Sequence, residues 1–510
     1  MVMTSFDPAA SVVLWRSVDG NADKEFFLVE RAKDLTFLGG FCALPGGRVE
    51  QPLDSELPSS WDGSDRSLRT AALRELFEET GILAYHGPVL LKDTWAAWRT
   101  QVCHNPKIWH TLMTEAGRSF AGDLLVPLGR FLTPAFSTTR FDSQTYALEL
   151  PCGQEAHIVL GELAAGEWLT LTQALTRYEE GDLYLTFPTV ETLRLLQTTG
   201  FDLHEASKQS SLRLIAPLPF GEMLSGLRIV PVRSQTLAPA THTNTYILGG
   251  EELVVVDPGS HLSLDQTVLS DYIDRLLKEG RRLREIWLTH HHPDHTAGIL
   301  ALQQRFNVPL ATHQAAKLPC GLRANRFIQD GEITALPFNQ HRTMYWQALH
   351  TPGHSPDHMS FYDTHTQALL TGDNILGTGT TVIGLPDSSL TQYLASLKRL
   401  QILPIRFGFP GHGAPLGNVA RRIHSILEHR RLRERALVRA LSQVKQPISA
   451  SDLVLHVYPN IDAEAHALAL DNVVANLHKL AEEQRAERQG DLWLLSKTEQ
   501  QRVTSSEVNE

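Results

Sequence analysis

Thr289-His290-His291-His292-Pro293-Asp294-His295 follows the apolar run Ile286-Trp287-Leu288, so His290, His292, Asp294 and His295 sit together on one loop at a predicted strand end. Imidazole nitrogens and carboxylate oxygens suit a borderline divalent ion such as zinc. One short loop cannot complete two coordination spheres, and further candidates follow at later strand ends: His354 in TPGHSPDH, Asp373 in LLTGDN and His412 in FPGHG. A glycine beside each lets the backbone turn tightly enough for the side chain to aim inward. In a chain with 23 histidines a lone histidine is ordinarily structural, and His313, His341, His350 and His365 are read that way. The ordered series H-x-H-x-D-H, G-H, G-D, G-H-G is not explained by chance.

A second group lies near the N-terminus, where residues 74–82 read Arg-Glu-Leu-Phe-Glu-Glu-Thr-Gly-Ile. On a helix Glu75, Glu78 and Glu79 stand at i, i+3 and i+4 and share one face. Carboxylates that close repel one another unless a cation sits among them, and Mg²⁺ or Mn²⁺ is the natural occupant. Three glutamates alone would more often be a solvated acidic face. Gly81 can supply the left-handed residue that ends the helix.

The elements that must position these groups divide the 510 residues into several parts, too many for one core. From 9 to 203, short β-like runs (SVVLW, EFFLVE, YALELP) alternate with a helix over about 66–80. Residues 204–225 are polar and then Pro/Gly-punctuated, and are read as a linker. From 226 to 425, apolar strands end in LVVVDPG, EIWLTHHHPDH, ALLTGD and GFPGHG and alternate with helical stretches such as LSDYIDRLLKEG, an α/β layered pattern. Residues 426–498 read as helices followed by a short strand pair, a winged-helix pattern. The tail 499–510 is polar and is expected to be disordered.

On the histidine and aspartate series the central region resembles the metallo-β-lactamase superfamily. The runs GDNILGTGTTVIG and TPGHSPDHMSFY, HRRLRE after PGHG, and the winged-helix tail are similar to its lactamase-β-2-like branch. The resemblance implies His290, His292 and His354 on one zinc, Asp294, His295 and His412 on a second, and Asp373 bridging them. It also implies that Asp257, in VVVDPG, supports the site without ligating, and that His291 falls at a variable position. His358 is read equally as support behind the ligands or as packing.

The acidic helix, with ALPGGRVE at 43–50, resembles the Nudix box, and RFLTPAFSTTRFDSQTYALELP and GEWLTLTQALTRYEEGDLYLTFPTVETLRLL resemble the coenzyme A diphosphatase-like branch. Arg66 stands where that box usually has a glutamate, and an insertion around residues 55–66 separates PGG from the helix; Asp54 is a candidate replacement ligand. The fold implied is multidomain α/β and α+β: a Nudix α/β/α sandwich, a metallo-β-lactamase αββα sandwich and a small C-terminal winged helix.

Two zinc ions would turn water into a nucleophile near neutral pH, with Asp294 orienting it. The first expectation is a hydrolase that cuts an ester or thioester, of acyl-coenzyme A type, at the zinc site. Its Nudix site, with Glu78 and Glu79 catalytic, would cut a nucleoside diphosphate-linked compound such as coenzyme A. The alternatives are a single-strand endoribonuclease and a Nudix half that only senses ligand. Seven arginines over 421–439 against Glu428 and Glu434 keep single-stranded RNA in view as a partner. The net charge of −11 argues for small-molecule substrates. No apolar run is long enough for a membrane, no signal segment is visible, and four scattered cysteines point to the cytoplasm. The oligomeric state is left open.

Overall fold

A computed structural model of the chain describes residues 6–507 apart from 19–22, 34, 36–37, 90–91, 134–139, 212–220, 445, 460–461 and 463–465. The chain divides into two compact units, Met1–Pro231 and Val232–Glu510.

In the first unit a mixed sheet runs Cys42–Ala43, Lys24–Arg31, Asp7–Ser17, Phe141–Glu149, Val126–Leu132, with Gly46–Arg48 beside Asp7–Ser17 and Leu163–Thr170 beside Lys24–Arg31. Its central pair, Asp7–Ser17 with Phe141–Glu149, is parallel. Side chains alternate across a strand. Accordingly Val12, Leu14, Phe27, Val29, Tyr146 and Leu148 enter one core with Leu73, Leu76 and Phe77 of helix Arg66–Thr80. Val13, Phe26, Leu28 and Ala147 enter the other core, with Leu175 and Tyr178 of helix Leu171–Glu180 and Val190, Leu193 and Leu196 of helix Phe187–Thr198. Helices therefore cover both faces, the expected α/β/α sandwich.

In the second unit one sheet runs through His242–Gly249, Glu252–Val256, Arg282–Trp287, Leu310–Thr312 and Arg326–Phe327, and a second through Ile333–Pro337, Thr343–His350, Met359–Asp363, Ala368–Gly372 and Phe407–Pro410. Strand Glu252–Val256 pairs parallel to Arg282–Trp287, and that strand to Leu310–Thr312. Parallel neighbours require crossovers, and helices Ser263–Lys278 and Ile299–Phe306 lie in them. Residues 359–363 and 368–372 are buried throughout, as expected of strands covered on both faces. Between the sheets Trp287 stacks on Phe361 at 4.8 Å and Tyr246 meets Phe409 edge-on at 6.2 Å. Outside the second sheet Tyr393, Leu397 and Leu400 of helix Leu390–Gln401 pack with Val419, Ile423 and Leu369. Sheets face each other with helices outside.

Helix Val419–Gln443 runs on without a Gly or Pro to break it, straight through residues 425 and 426, where the sequence suggested a domain boundary. Its far end packs Leu437, Val438 and Leu441 against helices Ala450–Val457 and His466–Glu482 and the hairpin Ala486–Gln489/Leu492–Leu495. Ile448–Ser449 pairs with that hairpin.

Two expectations need correction. The tail read as disordered forms helix Lys497–Glu507, because Glu499 is buried and accepts from Arg485 Nε and Nη2 at 2.9 and 2.7 Å; residues 508–510 lie outside the described residues. Its polar composition hid a paired charge. The stretch read as a linker carries helix Leu203–Ser211 and strand Gly221–Leu224, with 212–220 outside the described residues.

Candidate metal centre

Four strand ends of the second unit supply the central cluster. The loop after Arg282–Trp287 carries His290, His292, Asp294 and His295, the last two on a single helical turn, Pro293–Thr296, that begins at Pro293. Pro at N1 fits there because that position has no intrahelical N–H acceptor to lose. His354 follows Thr343–His350, Asp373 follows Ala368–Gly372 directly, and His412 lies just past Phe407–Pro410. Ligand atoms fall into three mutually close groups: His290, His292 and His354; His290, His295 and Asp373; and Asp294, His295 and His412, each within 4.8 Å.

Asp373 ties the groups together. One of its oxygens lies 3.4 Å from His295 Nε2, and the other lies 3.3 Å from His412 Nε2 and 3.7 Å from His354 Nε2. His412 Nε2 is also 3.3 Å from Asp294, and His354 Nε2 is 3.0 Å from His292 Nδ1. A Cβ on Gly411 would fall 2.4 Å from Asp373 Oδ1, so the strand-end glycine is needed for the backbone to pass this close.

Three of the imidazoles are turned by a bond at the outer nitrogen. His295 Nδ1 donates to Asp257 at 2.8 Å, His354 Nδ1 to the Val382 carbonyl at 2.9 Å and His412 Nδ1 to the His242 carbonyl at 2.8 Å. Asp257 also accepts from Thr289 N and Oγ1 at 2.8 and 2.6 Å, fixing the start of the histidine loop. Such outer partners set tautomer and orientation in metal sites. His290 Nε2, His295 Nε2 and Asp373 Oδ1 are left buried with no hydrogen-bond partner. Buried polar atoms are rarely orphaned, and three facing one point fit divalent cations held by nitrogen and oxygen.

Without a cation the cluster is electrostatically divided. Burial and neighbouring imidazoles push His290 well below its usual range and His292 down to about 4. Burial opposes charge on His295 and His412 too, but Asp373 and its fellow carboxylates outweigh it, raising His295 well above its usual range and His412 to about 10. Burial likewise disfavours the Asp373 carboxylate, and the imidazoles outweigh it to hold the pKa well below its ordinary value.

Two neighbours find their roles. His291 belongs to no ligand group and pairs through Nδ1 with Asp357 at 2.7 Å. His358, fully buried, accepts the Asp373 backbone N–H at 3.1 Å and bonds Thr351 Oγ1 at 3.0 Å, so it stands behind Asp373. Thr236, whose Oγ1 lies 3.2 Å from His412 Nε2, and Thr381, which donates to the Asp373 carbonyl at 2.8 Å, had no signal in the sequence.

In the first unit Glu75, Glu78 and Glu79 share one face of Arg66–Thr80, but the cation between two of them is Arg74. Its Nη1 donates to Glu75 at 2.9 Å and Glu78 at 3.3 Å. Glu79 accepts from Gly46 N at 2.9 Å, and a Cβ on Gly47 would meet the Glu75 carboxyl carbon at 2.4 Å, so the PGG turn packs directly on the glutamates. Trp109 Nε1 donates to Glu78 at 2.8 Å, a partner unmarked in the sequence. Burial pushes the Glu75 carboxyl up to about 7 and Glu79 up to about 8; a divalent cation would hold them ionised. Among the described residues, ligand groups as close as the central ones are not found here.

Asp54 is not a replacement ligand. Both its oxygens are engaged, by Arg74 Nε and Nη2 at 2.9 and 3.1 Å and by Glu50 N at 2.7 Å, with the side chain fully buried. Arg66 holds the insertion by donating to the Ser55 and Leu57 carbonyls at 2.8 and 2.9 Å. The arginines of 421–439 are also partly spoken for: Arg430 is buried, Arg431 pairs with Glu428 at 2.8 Å, and Arg433 lies over Tyr458 at 4.7 Å.

Comparison with known proteins adds three family matches: the metallo-beta-lactamase superfamily over residues 238–412, the beta-lactamase associated winged helix domain over 449–493, and the NUDIX domain over 6–114. The atrochrysone carboxyl ACP thioesterase AgnL7 of Paecilomyces divaricatus is 31% identical over 57% of this chain and 90% of its own length. An atrochrysone carboxyl ACP thioesterase of Aspergillus novofumigatus is 32% identical over 57% of this chain and 88% of its own. The crystal structure of a NUDIX hydrolase from Alicyclobacillus acidocaldarius matches 42% of this chain and 100% of its own at 29% identity, with a TM-score of 0.36.

Proposed function

The chain is a hydrolase that belongs to the metallo-β-lactamase superfamily and carries a Nudix domain in front, and on that premise we propose that its central site is a binuclear zinc centre that hydrolyses a thioester. The observation that carries this reading is the position of Asp373 between ligand nitrogens of both histidine groups, 3.4 Å from His295, 3.7 Å from His354 and 3.3 Å from His412. His290, His292 and His354 would hold one ion, Asp294, His295 and His412 the other, and Asp373 both. When bound, zinc supplies a nucleophile from water near neutral pH and positive charge against the developing oxyanion. Asp294, held ionised by His295 and His412 against the cost of its burial, is the group to orient that water and take its proton. Relatives named as thioesterases favour a thioester over other acyl bonds.

The Nudix site would cut a nucleoside diphosphate-linked compound, with Glu75, Glu78 and Glu79 holding Mg²⁺ or Mn²⁺. Coenzyme A would make the two reactions serve one acyl-coenzyme A substrate. Arg66, at the position where the box usually has a glutamate, is engaged by the Ser55 and Leu57 carbonyls of the insertion, and a Nudix half that only senses ligand is the alternative reading. Burial of Arg430 and pairing of Arg431 weaken the case for RNA. Four widely spread cysteines with no C-x-x-C pair are the ground for placing the chain in a reducing cytosol.

The test is a hydrolysis panel on purified protein: acyl-coenzyme A, free coenzyme A, other nucleoside diphosphate compounds and short single-stranded RNA. Thioester cleavage lost in His292→Ala with His295→Ala supports the reading. Salt-sensitive RNA cleavage without thioester turnover would replace it.

A further inference from the structure

The backbone just beyond Asp373 is held by a side chain from far along the chain. Residues 381 and 382 touch both ends of the metal cluster: Thr381 Oγ1 donates to the Asp373 carbonyl at 2.8 Å and lies 3.2 Å from that of Asn374, and the Val382 carbonyl accepts His354 Nδ1–H at 2.9 Å. The Thr381 carbonyl in turn accepts from Arg430 Nη2 at 2.6 Å. Arg430 is 3% exposed, in helix Val419–Gln443. Its other terminal nitrogen donates to Asn472 Oδ1 on helix His466–Glu482, in the winged-helix region. The guanidinium lies 5.6 Å from the Tyr393 ring centroid, and the Tyr393 hydroxyl donates to the Asn374 carbonyl at 2.9 Å.

We infer that Arg430 is a positioning residue for the metal centre, through which the C-terminal winged-helix region braces the loop that aims His354 and Asp373. A charged donor on a neutral carbonyl makes a short, strong bond, and a buried guanidinium has no water to compete for it. The planar fork suits this task because its two terminal nitrogens are held at fixed separation, one on Thr381 and one on Asn472. Loss of the fork frees a backbone segment that bonds both to His354, a proposed ligand of one ion, and to Asp373, the proposed ligand of both. The inference rests on the reading of the cluster as a zinc site.

The experiment measures zinc affinity by competition with a chelator, and amide hydrogen exchange over residues 374–384 in the metal-free protein. The proteins are the full-length wild type and the Arg430→Gln, Arg430→Lys and Asn472→Ala variants. Partners behind metal ligands are worth about 10–100-fold in affinity. Arg430→Gln should weaken zinc binding by about tenfold or more and speed exchange in the loop. Arg430→Lys, which keeps a charge but not the fork, should fall between, and Asn472→Ala should shift both readouts in the same direction by less. A general loss of stability would speed exchange throughout the second unit and not selectively over the loop. Wild-type affinity and loop protection in folded Arg430→Gln would overturn the inference. If that variant does not fold, Asn472→Ala decides alone, with unchanged zinc affinity and loop exchange overturning it. A wild-type chain that holds no zinc would sink the metal reading itself, a different failure.

Discussion

Asp257 has a positive φ of 53° and spends both carboxylate oxygens on the start of the histidine loop and on His295. Asparagine tolerates that backbone region, so Asp257→Asn changes charge and acceptor capacity with little backbone strain. Zinc affinity should fall by about 10–100-fold, measured by chelator competition. An unchanged affinity would mean that Asp257 serves only the loop. Asp54 and Arg74 form the other decisive pair, with side chains 0% and 2% exposed. Asp54→Ala leaves a buried guanidinium with less compensation, a cost of about 3–5 kcal/mol. Chemical denaturation of the first unit should show it, and a loss below about 1 kcal/mol would contradict the arrangement. The histidine and aspartate candidates that the structure brings together were legible in the sequence because their residue types and spacing form one ordered series at successive strand ends. Arg430 and Trp109 were not, since a buried arginine among exposed ones and a tryptophan in a core carry no local signature of the partner each meets far along the chain.

Among the elements, helix Phe187–Thr198 is tied to strand Gly221–Leu224 through Glu222, which pairs with Arg194 at 3.0 Å and Arg228 at 2.9 Å. Burial opposes the Glu222 charge, and the two arginines outweigh it, so its folded pKa lies below the ordinary value. A depressed carboxylate contributes stability above its unfolded pKa of about 4.3, and that contribution is lost as pH falls through the folded value. Glu222→Gln should therefore lower the melting temperature at pH 6 and narrow the gap from wild type as pH drops below 4. A gap that widens on acidification would reverse the sign. Strand and helix segments were readable where the local residue types were distinctive, as in the apolar run of Asp7–Ser17 and the Arg-Glu-Leu-Phe-Glu-Glu-Thr-Gly stretch that ends Arg66–Thr80. The tail helix was not, because its stabilising pair joins Glu499 to Arg485 across a turn of chain. The RNA alternative is tested on this helix by replacing Arg431, Arg433 and Arg435 with glutamine while the buried Arg430 is kept. Thioester turnover should stay within about twofold of wild type at all salt concentrations. Cleavage of RNA that collapses in this variant and falls steeply with salt would instead mark a phosphate-binding face.

For the whole molecule, the two proposed ligand sets lie in two compact units, one in each. Losses at independent sites add without coupling. Glu78→Gln with Glu79→Gln should abolish Mg²⁺-dependent diphosphate cleavage and leave thioester cleavage intact, while His292→Ala with His295→Ala should do the converse. Cross-loss in either variant would mean that the two activities share machinery. No helix among the described residues is long and apolar enough to cross a membrane. The central claim, a binuclear zinc centre around Asp373, is tested most directly by elemental analysis of the purified chain. The account predicts about two zinc ions per chain, as a structural set of seven nitrogen and oxygen ligands would hold, and close to none in His292→Ala with His295→Ala. Full zinc occupancy in that double variant would contradict it.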